Sequence, residues 1–424
     1  MATTGLVVFR RDLRISDNTT LYQACNEVKQ VFCVFILDPR QTQPHKYFTA
    51  NGFMFMLESL KELATLIPLA IVEGKQEDVI PLIVAEYKID KVYMMSDYTP
   101  FARQRDENIR KAISCDYQFF EDNCLIPISD MKPYKKFTPF YNYVLATFDS
   151  KLKSPALVPD ITKIAKFAPK CCRQVDLQLA MRAIRTLVAP QRQHGGRKNG
   201  EQLLKSAVAS SKQYVDNREN LMGGSTRLSA FLKFGVIGRR EAHRAMKNVD
   251  FTRELLWTDF YSMVTYYNPH IMGPTRKRNF RSPNIADTWI SDYKDPILQR
   301  FLTGTTGIPI IDAAVNELFS TGYMHNRCRM IFANVFAYTF NFSWEIGEQF
   351  FATNLTDYDP SNNNGGWQWC AGTGVNYQMR AFNPYLQQKK FDPECLYIKK
   401  WLPKLSDKTV EYIRAIRADI GKWD

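Results

Sequence analysis

Short apolar runs alternate with longer, helically spaced stretches through the first third of the chain. Residues 6–9, 31–37, 69–72, 91–95 and 117–119 are the runs, each the length of a strand buried on both faces. Residues 52–66, 77–87 and 102–113 between them carry helix-like spacing. This alternation predicts a doubly wound, five-stranded parallel sheet with helices on both faces, over residues 1–130. A ligand of such a sheet sits at the carboxyl ends of its strands. The first strand-to-helix turn, F-R-R-D-L-R-I-S-D-N, holds no G-x-G-x-x-G, which argues against a dehydrogenase-type dinucleotide cradle there. From about Lys132 the pattern loosens. Pro133, Pro139, Pro155, Pro159 and Pro169 interrupt it, and residues 131–200 read as a long connector between domains. Beyond Glu201 the spacing is helical and dense in aromatics, so the fold class expected is α/β plus all-α, the helical domain spanning residues 201–424.

Composition adds a partner class. Lys and Arg number 56 against 43 acids, a net charge of +13. That excess suits a polyanion, nucleic acid before membrane, although a basic soluble surface would give the same count. No apolar run is long enough to span a bilayer, and the N-terminus lacks the basic start and cleavage site of a signal peptide. Nine cysteines at irregular spacing suit reduced thiols, so an intracellular, reducing compartment is expected, and secretion is not. His325 and Cys328 could share a helix face, but no further ligands stand near them, and no metal site is expected.

Five segments carry candidate chemistry. From Asp357 to Trp369 the chain reads D-Y-D-P-S-N-N-N-G-G-W-Q-W. Acids and amides can fix a polar planar ligand, the Gly pair lets backbone approach it, and Trp can stack on it. A loop between helices, its Trp capping a core, is the other reading. Gly223-Gly224-Ser225-Thr226-Arg227-Leu228-Ser229 opens a helical pattern, suiting phosphate through N–H groups, hydroxyls and Arg227, or a plain N-cap. Glu254 and Trp257 fall three apart on one helix face, a carboxylate beside an indole, as base recognition or an amphipathic helix would have it. Asn326, Arg329 and Met330 share another face, where a ligand or an ion-pair network would meet the cost of burying polar groups. The run Thr275-Arg276-Lys277-Arg278-Asn279-Phe280-Arg281 could track a phosphate backbone or be a solvated loop.

Together and in this order, these motifs resemble the photolyase–cryptochrome family. The fragments that carry the resemblance are F-R-R-D-L-R-I-S-D-N, F-T-P-F at residues 137–140, G-S-T-R-L-S, E-L-L-W, T-G-I-P-I-I-D-A-A from Thr306, M-H-N-R-C-R-M, N-N-G-G-W-Q-W and F-N-P at residues 382–384. The resemblance implies an α/β antenna domain, a linker and a helical domain binding FAD, with light-driven repair of pyrimidine dimers in DNA. It implies FAD contacts from Tyr214, Ser225, Thr226, Arg227, Leu228, Ser229, Asn326, Arg329, Asp357, Asp359 and Asn363. Glu254, Trp257, Asn326, Met330 and Trp369 would line the lesion pocket, with Arg218 and Arg327 on DNA at its rim. Trp367 and Trp344 would carry electrons to FAD, with Trp289 or Tyr293 as a third member. A second antenna chromophore, folate or deazaflavin, is also implied, and a monomer.

Subclass follows from single positions of the same resemblance. (6-4) photolyases carry His in the helix motif where this chain has Asn326-Arg327 and Met330. DASH cryptochromes usually have Tyr at the position of Trp369, and plant cryptochromes Asp at that of Asn363. The pattern points to a class I cyclobutane pyrimidine dimer photolyase, with a blue-light photoreceptor as the alternative. Thr258 departs from the Arg usual after E-L-I-W.

Overall fold

The computed structural model describes residues 3–152, 154–272, 289–375 and 380–420. The chain packs as two units. Met1–Leu187, His194–Ser211 and Arg227–Pro269 form one, and Val188–Gln193, Lys212–Thr226 and His270–Asp424 form the other.

The first unit is built on strands β1 (Thr4–Phe9), β2 (Gln30–Leu37), β3 (Ala70–Glu73), β4 (Lys91–Met95) and β5 (Asp116–Phe120). All five pair in parallel. A sixth, β6 (Arg173–Gln174), joins antiparallel to β3, giving the order β5-β4-β1-β2-β3-β6. The five-stranded expectation therefore gains an edge strand. Two residues are too few to show an alternation, so the pattern could not have announced it. The helices between strands start where capping chemistry allows: Asn18 accepts from Leu21 N ahead of α1 (Thr19–Glu27), and Thr49 from Gly52 N ahead of α2 (Ala50–Leu66). α3 (Gln76–Tyr87) and α4 (Pro100–Ala112) follow. Leu6, Val8, Val34, Val72, Val92 and Met94 form part of an apolar cluster with Ile80, Ile83 and Ile109 of the helices.

The proline-interrupted stretch after Lys132 is not loose throughout. It contains α5 (Phe137–Leu152), kinked at Phe148, whose Phe140 and Val144 are fully buried.

The turn after β1 is an electrostatic joint. Asp12 accepts from Arg10 N at 2.7 Å, Asn18 donates to the carbonyls of Asp12 and Arg14, and Arg14 pairs with Asp122. Arg240 also reaches Asp122, at 2.5 Å, from helix α6 (Arg239–Met246), and Arg244 reaches Asp17 at 2.7 Å. Burial would raise the Asp122 carboxyl, but Arg14 and Arg240 hold it below its ordinary value. The sequence motif here is thus largely a buried, satisfied network, the condition under which charge can be buried at all. Arg10 stands where the strand order reverses, between β1 and β4, donating to Met95 O at 2.7 Å and Gln76 Oε1 at 3.1 Å and pairing with Asp106 at 2.8 Å.

Helix α7 (Val249–Tyr267) completes this unit, capped by Asn248. Its Asp259 is fully buried and accepts from the amides of Leu125 and Ile126 at 2.9 and 3.2 Å. Burial pushes this carboxyl up to about 7 despite Arg239 and those amides. An acid raised above its unfolded value of 3.8 binds its proton more tightly when folded. The folded state therefore loses stability as pH rises from about 4 through 7. We expect Asp259→Asn, which keeps an acceptor without a charge, to flatten that part of the pH dependence. Denaturant unfolding at pH 5 and pH 8 checks it, and an unchanged slope in the variant removes Asp259 as its source.

Candidate functional site

The second unit carries most of the singled-out polar residues, with Asn326, Arg327, Arg329 and Asn363 on two of its helices. Helix α8 (Pro309–Thr321) leads to Tyr323-Met324 and then α9 (Asn326–Asn334). The T-G-I-P-I-I-D motif explains how α8 starts: Asp312 accepts from Thr306 N, Thr306 Oγ1 and Gly307 N at 2.6–2.9 Å, and Pro309 takes a first-turn position. His325 caps α9, its Nδ1 accepting from Arg327 N at 3.2 Å. Burial pushes its ring down to about 4, so it serves as a neutral acceptor. Helix α10 (Trp344–Asn354) and helix α11 (Pro360–Ala371) follow.

The Asn- and Gly-rich segment is a helix rather than the loop its composition suggested. Asp359 accepts from Asn362 N as N-cap, and Pro360 takes a first-turn position. Poor intrinsic propensity is overridden by one buried face, with Ser361, Asn364, Trp367, Gln368 and Cys370 turned inward. Asn363, Gly366 and Trp369, spaced by three, share the half-exposed face. Among the described residues a Cβ on Gly366 would meet nothing within 4 Å. The middle of this face is therefore bare backbone between an amide and an indole. Asn363 is steadied by donating to Glu348 O at 3.0 Å.

Asp357 and Arg329 hold the far side. Arg329 donates to Asp357 Oδ2 at 2.9 Å and to Met324 O at 2.7 Å. Burial pulls the Arg329 guanidinium down and Asp357 more than offsets it, leaving it above its ordinary value. Asp357 Oδ1 is buried and has no hydrogen-bond partner among the described residues. A buried carboxylate oxygen in that state is costly and suits a ligand bearing N–H or O–H. The Arg329 guanidinium lies 5.5 Å from the Tyr323 ring, whose hydroxyl donates to Ser225 Oγ at 2.8 Å. Ser225 is thus drawn to the Arg329–Asp357 pair.

The glycine-hydroxyl motif is not a plain cap. The short helix begins at Ser229, and Leu228, in the capping position, makes no side-chain cap bond. Gly224 is required by its neighbour, since a Cβ there would lie 1.4 Å from Asn217 O. Arg227 has φ +53°, a conformation that costs a non-glycine residue energy. Tyr214 begins the short helix Tyr214–Asn217, and Arg218 follows it; both are half-buried.

Asn326 is exposed, with its Nδ2 3.8 Å from Met330 Sδ one turn on. Met330 and Trp369 are both half-buried against one apolar cluster. Arg327, expected on DNA, makes a two-bond pair with Glu219 at 2.7 and 2.9 Å and lies 4.3 Å from the Phe391 ring. The expected basic run at residues 275–281 lies outside the described residues. In the first unit, Glu254 and Trp257 are half-buried on α7.

Trp344 and Trp367 are buried in that same cluster. Trp367 meets Phe351, Phe336 and Phe332 edge-on, at 5.0, 5.7 and 6.1 Å, and its Nε1 has no partner among the described residues. Of the two candidates for a third member, Trp289 packs on the cluster while Tyr293 is 50% exposed. One residue escaped the sequence reading. Asn334 is fully buried, donates to Cys370 O and Arg380 O at 3.3 and 3.1 Å and accepts from Phe382 N at 2.7 Å. Its polarity inside the apolar run 331–340 was the available signal.

With this geometry in place, the comparisons with known proteins decide the family. The pattern described as "DNA photolyase" matches residues 6–159, and "FAD binding domain of DNA photolyase" matches residues 251–422. The chain belongs to the DNA photolyase family. The deoxyribodipyrimidine photo-lyases of Alkalihalophilus pseudofirmus and Synechococcus are both 30% identical to it, over 96% of this chain and 88% and 89% of theirs. An archaeal photolyase structure from Sulfolobus tokodaii, described as holding two FAD molecules, superposes with a TM-score of 0.86 at 35% identity, over 99% of this chain and 97% of that one. A class III photolyase from Agrobacterium tumefaciens, 23% identical with a TM-score of 0.82, shares the fold over 98% of this chain and 89% of its own. The orphan Asp357 oxygen, the bare backbone at Gly366 and the Ser225 hydroxyl, all in the helical unit of this photolyase, fit FAD.

Gly347 on α10 admits the Trp367 indole, since a Cβ there would lie 2.0 Å from its Cη2. We expect Gly347→Ala to destabilise the protein by about 1–3 kcal/mol through overpacking. Equilibrium unfolding measures this, and a variant as stable as the parent shows that the indole is free to move aside.

Proposed function

We propose that the protein is a deoxyribodipyrimidine photo-lyase that repairs cyclobutane pyrimidine dimers in DNA under light. The observation that carries the reading is the likeness, over 96% of the chain, to proteins of that name. The polar face of α9 and the half-exposed face of α11 support it. FAD, when bound, supplies the excited electron that splits the dimer. Asp357 Oδ1 would accept from it, Arg329 would hold that carboxylate in place through its bond to Oδ2, and Ser225 to Ser229 with Tyr214 would hold its phosphates. Asn326, Asp359 and Asn363 complete the proposed cofactor set.

Asn326, Met330 and Trp369 with Glu254 and Trp257 would receive the lesion, which leaves the duplex because no enzyme reaches it in the stack. Glu254 would hydrogen-bond the dimer and steady charge arriving on it. Arg218 and Arg327 would contact phosphates, giving affinity without sequence preference. For Arg327 that means exchanging Glu219 for DNA. Trp367 and Trp344 would relay electrons inward, Trp289 being the member its packing favours beyond them. A second chromophore would sit at the strand carboxyl ends, where Arg10, Gln76 and Asp106 gather; folate, deazaflavin or a second flavin, as in the Sulfolobus protein, are its chemical classes. The reading carries with it a monomer in a reducing compartment inside the cell. No described helix is long and apolar enough to cross a membrane. The photoreceptor alternative finds a neighbour in a Synechocystis cryptochrome, but at 24% identity that likeness is one of fold alone.

A light-dependent assay tests the proposal: the reduced protein should restore thymine from an oligonucleotide with one thymine dimer only when illuminated. We expect Glu254→Ala to lower repair yield severalfold while binding the dimer much as the parent does; equal yield takes Glu254 out of the mechanism. Trp367→Phe should stop light-driven reduction but spare repair after chemical reduction. Photoreduction at the parent rate would sink the electron path.

A further inference from the structure

The F-T-P-F segment has no part in the repair chemistry, yet its first ring lies against a proposed lesion residue. Phe137 opens α5 and is 2% exposed. Its ring is parallel to the Trp257 indole, with centroids 3.7 Å apart and 5° between the planes. Aromatic pairs left to themselves prefer offset or edge-on arrangements over so close a face-to-face match, so the pose is imposed by neighbours. Phe260 imposes it. Its ring stands edge-on to both, 5.8 Å from Phe137 at 88° and 5.7 Å from Trp257 at 89°. Arg253, one turn before Trp257 on α7, also lies against Phe137, with its guanidinium 5.7 Å from the Phe137 ring and 5.4 Å from that of Tyr141. The indole cannot turn about its side-chain bonds without leaving this slot. One of its faces is covered by Phe137, the Tyr261 ring lies 5.6 Å away at a 31° tilt, and Trp257 is only half-buried, so part of the indole stays accessible.

We infer that Phe137 is a positioning residue for lesion binding: it backs Trp257 so that the indole is already oriented when a flipped-out pyrimidine dimer stacks on its accessible part. The inference rests on the dimer-repair reading of this site. Stacking of a base on an aromatic ring is a large share of binding, and a platform fixed beforehand avoids the ordering cost at the moment of binding. The ring also excludes water from the back of the indole.

The test uses the full-length protein with FAD, in the dark, and compares affinity for an oligonucleotide with one thymine dimer and for the same strand undamaged. Phe137→Leu should weaken dimer binding by roughly threefold to tenfold, as loss of an aromatic pair does. Affinity for undamaged DNA and FAD content should stay at parent values. Phe137→Tyr, which keeps the plane, should restore dimer binding. Combined with Trp257→Ala, Phe137→Leu should cost nothing further, because its effect passes through the indole. Phe137→Met, an unbranched side chain of similar volume, serves the same comparison should the Leu variant fold poorly. The inference is overturned if Phe137→Leu and Phe137→Met bind the dimer as the parent does, if they weaken both oligonucleotides alike, or if the loss persists on the Trp257→Ala background. A parent protein with no preference for the dimer defeats the repair reading itself, and the inference with it. A parent that prefers the dimer, with variants that keep the full preference, defeats the inference alone.

Discussion

The Arg329–Asp357 pair, its carboxylate buried and its guanidinium half-buried, organises the helical unit. A carboxylate taken out of water must be matched by a cation and hydrogen bonds, or the fold bears several kcal/mol of desolvation. Arg329 matches one oxygen of Asp357 and, through Met324 O, fixes the stretch leading into α9. The other oxygen is buried without a donor among the described residues. Beside Arg329 stands Tyr323, whose hydroxyl donates to Ser225. The unit therefore carries an unmet demand for a donor, and the family it belongs to names the cofactor that meets it. Glu317 plays a supporting part, accepting from His325 N and the Tyr397 hydroxyl at 3.1 and 2.7 Å and so anchoring the start of α9.

Much of the α/β unit was legible because β1 to β4 are buried on both faces; β5 was expected to be buried too, but as an edge strand it is exposed to half-buried. A continuous run such as 31–37 is hard to read otherwise, and β2 spans Gln30–Leu37. The joint after β1 was visible as a motif but not as a mechanism. Nothing in F-R-R-D-L-R-I-S-D-N says that Arg14 will find Asp122 more than a hundred residues away. The segment Asp357 to Trp369 was legible as unusual, with a ligand site and a loop between helices as its two readings, but not as a helix. Propensity counts Asn and Gly against a helix, whereas tertiary burial of every third or fourth side chain outweighs that count.

Motifs also proved to be of two kinds. T-G-I-P-I-I-D and F-N-P are instructions for starting helices: Asn383 accepts from Tyr385 N and Leu386 N just as Asp312 gathers the amides before α8. The stretch around Ser225 looks alike on paper, but the helix after it has Leu228 in the capping position with no side-chain cap bond, and the Ser225 hydroxyl accepts from Tyr323. A residue list cannot separate the two, because both use a small polar side chain beside Gly or Pro. The separation needs the partner of each hydroxyl, which is three-dimensional information.

Asn334 extends that point to substitution. Its two amide hydrogens go to two carbonyls and its oxygen to one backbone N–H. No other side chain of that length offers two donors and an acceptor in one plane. Aspartate would set an anion against two carbonyl oxygens, leucine would orphan three backbone groups, and glutamine is a methylene too long. The position is therefore confined to a single amino acid by hydrogen-bond valence alone, so intolerance to replacement there would say nothing about catalysis.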